Sequence, residues 1–306
     1  MTGKGKNKPP LLFLAIIPFF IIIILGGVFI LRPPVVLVTD RVYDQLYGRR
    51  RGMKMQAETS IRLFRRVKTV SIAEDAGTDV AVFAIRSASK KPFCVLFPYR
   101  YYREAEQYTQ DYPGVPAAVL LGRIRQTPAG MNLPGIRTDT EGDYFKLGRM
   151  AAAFVLNQHE SGEGQAGRIL FLRDDLVSPE DRDAFNRGLK AEGCSTAPFE
   201  VRGGDDEYTV PDTVSCVVLT GAAESFLGQN LNLPVLLVSW LDPSVTNSVV
   251  KVVFDDSPWA QVVQAAAMAA GERELGGIPS KVVVLRERIE GTEFLRKMSE
   301  IVQGRD

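Results

Sequence analysis

The chain has 306 residues, of which 37 are basic and 36 are acidic, so its charges almost cancel. This balance gives no electrostatic reason to expect nucleic-acid binding. If the apolar N-terminal run is set aside, about 270 residues remain, enough for two lobes of ordinary domain size.

The N-terminal segment is predicted to be a transmembrane anchor. Leu11–Leu31 is an apolar run without a charge, preceded by Lys4, Lys6 and Lys8 and followed by Arg32. Crossing the hydrocarbon core takes about 20 apolar residues. A cleaved signal peptide has a shorter apolar stretch and a small-residue cleavage site, and neither is found here. The lysines place the tail of residues 1–10 in the cytoplasm and the remainder outside, although the Arg49–Arg51 cluster weakens this orientation.

Apolar strands alternate with helical patterns over the first half of the remaining chain. These strands are apolar throughout, as expected where helices cover both faces of a parallel sheet. Strands are predicted at 35–39, 68–72, 93–97 and 117–121, and helices at 43–66, 78–89 and 103–110. A stretch rich in proline and glycine, 126–135, then interrupts the pattern.

The alternation restarts after this interruption. Ser178 is a predicted N-cap, with Pro179 at the first helical position. Strands are predicted at 168–172, 199–201, 216–219, 235–239, 249–254 and 281–285, and helices at 144–158, 179–192, 222–227, 257–272 and 292–302.

Two βα sets of this kind predict an α/β fold with two doubly wound parallel-sheet lobes, joined by several crossovers and preceded by one transmembrane helix. The first lobe is predicted at 35–122, with 243–280 returning to it. The second is predicted at 123–242, with 281–290 returning to it, and 291–306 forms a C-terminal helix. Ligands of such sheets bind outside the carboxyl ends of the strands, which can face each other across a cleft.

Three cysteines are present, Cys94, Cys194 and Cys216. An odd number cannot form a fully paired disulfide framework. A Cys194–Cys216 bridge is one expectation, and buried free thiols are the favoured one, because Cys94 and Cys216 fall in apolar strands.

Several local phrases, taken in order, resemble type I periplasmic solute-binding proteins and the effector domains of lactose-repressor-type regulators. The phrases are Thr138–Thr140 with Tyr144 and Gly148–Ala152, Gly167–Leu172, Ser178 to Gly193, Trp259 to Gly277, and Val282–Leu285. The resemblance covers about residues 35–290. It implies a hinged two-lobe receptor that closes on a sugar, a nucleoside or a similar small polar solute.

The sequence departs from that family where the ligand is held. Sugar-binding members hold hydroxyl groups with Asp, Asn, Arg and Gln side chains. The arginine that the resemblance implies four residues before Phe185 is replaced by Asp181, with Arg182 one place later. Phe254 stands where a glutamine is common. The pocket is therefore either specialised or lost.

Candidate ligand-binding residues are polar or aromatic side chains that follow strand ends or occupy positions the resemblance implies. Aromatic rings and guanidinium groups there can stack on a ring and hold an anion, whereas the alternative is that they cap the sheet. The candidates are Asp40, Arg41, Tyr43, Tyr99, Arg100, Tyr102, Asp139, Asp181, Arg182, Asp242 and Asp255. Asp174 lies in a loop that could face the cleft, but a solvated loop is the commoner outcome.

An enzyme is not expected. The only histidine, His159, is predicted near a helix C-terminus, where a cation is favourable without catalysis. The sequence 162–167 matches G-x-G-x-x-G but precedes a strand, whereas a dinucleotide site needs it after one. Cysteine and histidine spacings predict no zinc site, and no other cofactor is expected.

The leading hypothesis is a membrane-anchored, extracytoplasmic and non-enzymatic solute-binding protein that delivers its solute to membrane subunits of a transporter. A scaffold of the same fold that has lost its pocket is the alternative. A two-lobe glycosyltransferase is the third, and it lacks the expected glycine-rich donor loop.

Overall fold

A computed structural model of the chain describes residues 11–40, 49–73, 76–127, 129–160, 167–202, 210–221, 232–239, 246–271 and 277–304. Within these ranges the side chains of 11–17, 49, 158–160 and 258–261 also lie outside the description. The described strands form two six-stranded sheets.

The N-terminal run forms one continuous helix, α1 (Leu11–Leu31), whose side chains are described from Pro18 onward. Most of its described apolar side chains are exposed. Near its C-terminal end the ring of Phe29 is partly buried, and its centroid lies 5.6 Å from that of Phe64. Across the part of the chain with described side chains, no helix combines the length and the apolarity needed to cross a bilayer. The predicted anchor therefore stays a prediction.

The first sheet is entirely parallel and defines the first lobe. Its strand order is β11-β5-β4-β3-β1-β2. Its strands are β1 (Val35–Asp40), β2 (Val67–Ile72), β3 (Cys94–Pro98), β4 (Ala117–Gly122), β5 (Gly135–Thr138) and β11 (Gly277–Ile278).

Helices cover both faces of this sheet, which is why its central strands are apolar at successive positions. One face packs against α2 (Arg49–Leu63) and α7 (Pro258–Ala269). The other face packs against α3 (Thr78–Ala88) and α4 (Tyr102–Asp111), with the buried ring of Tyr108 between them. Tyr99–Tyr101 forms a short 3₁₀ turn before α4.

The second sheet defines the second lobe, in the order β12-β10-β9-β8-β6-β7. All pairings are parallel except that of β12 with β10. Its strands are β6 (Arg168–Arg173), β7 (Phe199–Arg202), β8 (Val214–Thr220), β9 (Val235–Val238), β10 (Val250–Asp255) and β12 (Lys281–Val284). One face packs against α5 (Thr140–Glu160), α6 (Pro179–Ala191) and α8 (Thr292–Gln303).

The described chain passes between the lobes at three places: from β5 to α5, from β10 to α7, and from β11 to β12. The first and third of these crossovers are bonded together. The amide of Asp139 donates to the Ile278 carbonyl at 2.8 Å, and the amide of Ser280 donates to the Asp143 carboxylate at 3.0 and 3.2 Å.

The lobe boundaries differ from the predicted ones. Residues 135–138 form β5 of the first sheet, and 250–255 form β10 of the second. Both β5 and β11 were missed because each is short and adjoins proline or glycine, so neither forms the long apolar run that predicts a buried strand. Helix α5 also begins earlier than predicted, at Thr140.

The cysteines are free thiols, and all three are buried. The expected Cys194–Cys216 bridge is therefore wrong, and the favoured prediction of buried thiols is confirmed. Complete burial of Cys216 raises the pKa of its thiol far above the ordinary value, so it stays protonated.

Candidate functional site

A buried arginine joins the two lobes where strand ends face each other. Arg123 directly follows β4 of the first lobe, and Asp174 directly follows β6 of the second. Nη2 of Arg123 lies 2.6 Å from Oδ2 of Asp174, and Nη1 lies 3.3 Å from Oδ1, a bidentate pair. The two side chains are only 8% and 9% exposed, so this pair is shielded from water and salt.

Arg123 has two further partners. Its Nε lies 2.8 Å from Oδ2 of Asp256 at the second crossover, and its Nη1 lies 3.4 Å from the hydroxyl of Tyr144 on α5. Burial lowers the pKa of Arg123, but Tyr144, Asp256 and Asp174 together raise it by more. The guanidinium is therefore a permanent cation at the centre of the cleft.

The local backbone holds Asp174 in place. Its amide donates to Oγ1 of Thr220 at 2.8 Å, and the amide of Leu176 donates to its Oδ1 at 3.2 Å. Gly221 has φ +49°, and a Cβ there would lie 2.1 Å from Oδ2 of Asp174. Only glycine fits this close approach and this backbone conformation without strain.

A second arginine crosses the cleft nearer its edge. Nη2 of Arg125 lies 2.7 Å from Oδ1 of Asp181, and Nη1 lies 3.2 Å from Glu180. Asp181 is fully buried, and it also forms a capping box at the start of α6. There its Oδ2 accepts from the Ser178 amide at 3.0 Å, and its own amide donates to the Ser178 hydroxyl at 3.2 Å.

The crossovers carry buried carboxylates. Asp255 is paired with Arg51 of α2 and accepts from the Ser257 amide at 3.1 Å. Burial raises the pKa of Asp255, and it raises that of Asp256 to about 6 against the lowering effect of Arg123. Burial also raises the pKa of Asp143 to about 7, opposed by its hydrogen bonds with Ser280. The pKa values of Asp143 and Asp256 therefore lie near neutral pH.

A cavity of about 630 Å³ lies beside Arg123 and Arg125, along the first crossover. Its walls also include Asp139, Thr140 and Glu141. Small-molecule sites typically occupy about 300–1,000 Å³, so this space fits a ligand the size of a monosaccharide or nucleoside. Carboxylate, hydroxyl and guanidinium groups on its walls can hydrogen-bond such a ligand.

The structure places only some predicted site residues near this cavity. Asp139 lines it and accepts from the Gly142 amide at 3.1 Å, so it also caps α5. Asp181 lies across the cleft as the partner of Arg125. Asp255 lies at the second crossover with Arg51.

The other described candidates do not line this cavity. Arg182 pairs with Glu200 at 3.4 Å, on an exposed part of the second lobe. Tyr99 and Tyr102 stack on each other with centroids 6.2 Å apart at the end of β3. Arg100 lies exposed in the same turn, and Asp40 ends β1. Arg41, Tyr43 and Asp242 lie outside the described residues.

Sequence reasoning missed Arg123, Arg125 and Tyr144 as site residues. Arg123 carries a usable signal, because it lies two residues after the predicted fourth strand, 117–121, and ligands bind at such ends. Asp174, expected in a solvated loop, is instead buried against Arg123. These pairings depend on how the lobes meet, which local sequence patterns do not encode.

Two sequence features bear on an enzymatic function, His159 and the glycine motif at 162–167. The His159 side chain and residues 162–166 of the glycine motif lie outside the description. Over the residues that are described, no group of three or more His, Cys, Asp and Glu side chains could hold a metal ion.

No protein-family model matches the chain, and no curated protein matches its sequence. Solved structures do match. A periplasmic ribose ABC transporter protein from Conexibacter woesei has a TM-score of 0.50 at 13% identity, covering 87% of this chain and 95% of that one. A protein from Brachyspira murdochii, described as an ABC transporter and LacI family transcriptional regulator, has a TM-score of 0.49 at 12% identity over 86% and 98%. A LacI transcriptional regulator from a Rhodococcus species has a TM-score of 0.48 at 16% identity over 83% and 96%.

These likenesses concern the fold alone, because the identities are low. The chain has the two-lobe α/β fold of type I periplasmic binding proteins, as the resemblance in the sequence predicts.

Proposed function

We propose that this protein binds a small, neutral, hydroxyl-rich solute between its lobes and carries out no reaction on it. The observation that carries the proposal is the set of groups around Arg123: a buried guanidinium with carboxylates of Asp174 and Asp256 and the hydroxyl of Tyr144, drawn from both lobes. A sugar or nucleoside offers adjacent hydroxyl groups that can accept from the guanidinium and donate to the carboxylates.

The charge balance of the cleft favours a neutral solute. Arg123 is paired with Asp174 and Asp256, and Arg125 is paired with Glu180 and Asp181, so each of these cations already has its counter-ions. A charged ligand would have to displace one of these paired groups and leave a buried charge without its partner, which is costly. Hydroxyl groups can insert between the paired groups without that penalty. Contacts to both lobes would then favour the closed arrangement.

A scaffold that has lost its pocket is the second candidate, and one observation favours it. Arg123 already bridges the lobes with its own carboxylate partners, so the lobes are held together without a solute. In that case the two-lobe body serves as a rigid surface for a protein partner.

We further propose that α1 holds the two lobes at the outer face of the cytoplasmic membrane. The support is the uncharged 21-residue apolar stretch and the basic tail that precedes it. There the protein delivers its solute to the membrane subunits of a transporter. Carbonate extraction of membranes tests the anchor: the chain should stay in the pellet, and release into the supernatant would contradict it.

A thermal-shift screen of the full chain in detergent tests solute binding. A ligand that binds only the native state, present at 100 times its Kd, stabilises that state by about 2.7 kcal/mol. We expect one class among pentoses, hexoses and nucleosides to raise the melting temperature. Asp139→Ala should weaken that effect, since Asp139 lines the cavity.

Arg182→Gln is the matched control, because Arg182 pairs with Glu200 away from the cavity. A shift that is equally reduced in both variants contradicts this site. A panel without any shift favours the scaffold.

A further inference from the structure

A second cavity, of about 350 Å³, lies beside the second and third crossovers. It is formed by α2 and α7 of the first lobe together with Asp255 at the second crossover and Pro279–Lys281 at the third. It shares no lining residue with the cavity beside Arg123. It is therefore a separate space, and an occupant would touch both crossovers.

The lining of this hinge cavity is rich in cations. Arg51, Lys54 and Arg62 project from α2, and Lys281 comes from the third crossover; the carboxylates are Glu58 and Asp255. Four positive and two negative charges leave an excess of two positive charges. Such an excess in a recessed space concentrates anions.

The ion pairs leave part of this charge accessible. Arg51 is 15% exposed and pairs with buried Asp255, so it forms the inner wall. Glu58 is shared between Arg62, at 2.8 Å, and Lys281, at 3.5 Å. One carboxylate facing two cations cannot neutralise both, and Lys54 adds a third exposed cation. An anion that enters the cavity can therefore pair with the positive charge of Arg62 and Lys281 that Glu58 does not neutralise.

One buried polar atom indicates that a ligand of this cavity also needs a hydrogen-bond donor. Gln264 on α7 lines the cavity, and its Oε1 atom is buried and has no hydrogen-bond partner among the described residues. A buried amide oxygen without a donor costs about 1–3 kcal/mol. Its natural partner is an O–H or N–H group, which a purely acceptor anion such as sulfate does not supply.

We propose that the hinge cavity binds a small dianion that also carries a hydroxyl or amine group. The anionic groups lie against Lys54, Arg62 and Lys281, and the donor group bonds to Oε1 of Gln264. Because Arg62 belongs to the first lobe and Lys281 begins β12 of the second, the bound anion ties the two lobes together. This site does not depend on the solute proposed for the main cleft.

Calorimetric titration of the full chain in detergent tests the site, with L-malate and sulfate as probes at constant ionic strength. Both are dianions near pH 7.5, but only malate carries a hydroxyl donor. We expect malate to bind about tenfold more tightly than sulfate, the scale of one buried hydrogen bond. Failure of both probes to bind overturns the proposal.

Three variants locate the site. The double variant Lys54→Gln, Lys281→Gln should weaken the binding of both malate and sulfate at least about tenfold. The control is the double variant Lys90→Gln, Lys91→Gln. It removes the same charge from an exposed loop and should leave the binding of both probes unchanged. Glu58→Gln should strengthen binding. Gln264→Leu should abolish the preference for malate and spare sulfate. Equal losses in the two lysine pairs, or a malate preference that survives Gln264→Leu, would overturn the assignment.

Discussion

At the scale of residues, the cleft is organised by one buried cation. Arg123 connects Asp174 of the second lobe to Asp256 of the crossover, and each of these side chains is less than one tenth exposed. Removing one partner of such a network leaves the others charged and without compensation. The loss of stability caused by a substitution here is therefore set by the charge that remains without a partner, and not by the net strength of the ion pair.

Arg123→Met should lower the free energy of unfolding by about 3–5 kcal/mol at pH 8. The loss should be smaller at pH 5. Without Arg123 the pKa of Asp256, already about 6, rises further, and the protonated form needs no cation. Urea denaturation at the two pH values measures both effects.

Arg187→Met is the control, because Arg187 and its partner Glu141 are 55% and 61% exposed and their pair should contribute no more than about 1 kcal/mol. Equal losses in the two variants would show that Arg123 is not the central charge.

The contribution of Asp143 to the free energy of unfolding should change with pH in the direction opposite to that of a salt-bridged carboxylate. Burial raises its pKa to about 7 in the folded protein, whereas an unfolded aspartate titrates near about 3.9. The native state therefore binds the extra proton between these values. The contribution of Asp143 to stability is full below about pH 4 and is lost as the pH rises through 7.

Asp143→Asn keeps an oxygen that can accept from the Ser280 amide but removes the titration. Its stability relative to the native chain should therefore rise between pH 4 and pH 8, by on the order of 2–4 kcal/mol. Chemical denaturation across that range is the measurement. A difference that does not change with pH would mean that Asp143 is ionised throughout.

At the scale of elements, helices α5 and α6 pack closely against each other. A Cβ at Gly148 would lie 2.1 Å from the carbonyl oxygen of Phe185, and one at Gly188 would lie 2.1 Å from that of Phe145. The two helices touch through their backbones at this point. The contact positions the start of α6, and hence Asp181, against the cleft.

Gly148→Ala should destabilise the protein by at least about 2 kcal/mol, although alanine has the higher helix propensity, because the methyl group forces the two backbones apart. Thermal or urea unfolding measures this. Gly77→Ala is the control: Gly77 has φ −64° and open space around it, so the change should stay within about 1 kcal/mol. A stabilised Gly148→Ala protein would show that the helices can separate freely.

The elements that the sequence predicts well are the ones with strong local signals. Val35–Val38 is fully apolar and buried, and the predicted N-cap Ser178 with Pro179 at the first position of α6 is confirmed. Short β5 and β11 lack such signals, because their stability comes from pairing with each other and with β4. The site was predicted less well for the same reason: Arg123 and Asp174 are 51 residues apart and meet only once both lobes are formed.

In the whole molecule, two lobes meet across a charged cleft and are linked by crossovers. Arg123 and Arg125 bridge the cleft from the first lobe, and the crossovers are joined by the bonds of Asp139 and Asp143. A solute that enters the cleft must exchange hydrogen bonds with these bridges. Binding and lobe closure are therefore expected to be coupled.

The most direct measurement is calorimetric titration of the full chain and of Asp174→Asn with the sugar or nucleoside that gives the largest thermal shift. We expect one binding site per chain. We also expect the Asp174→Asn variant to bind at least about tenfold more weakly, because a charge-assisted hydrogen bond to the solute is lost. Equal affinity in the two proteins, or no heat of binding from a folded native chain, would contradict it.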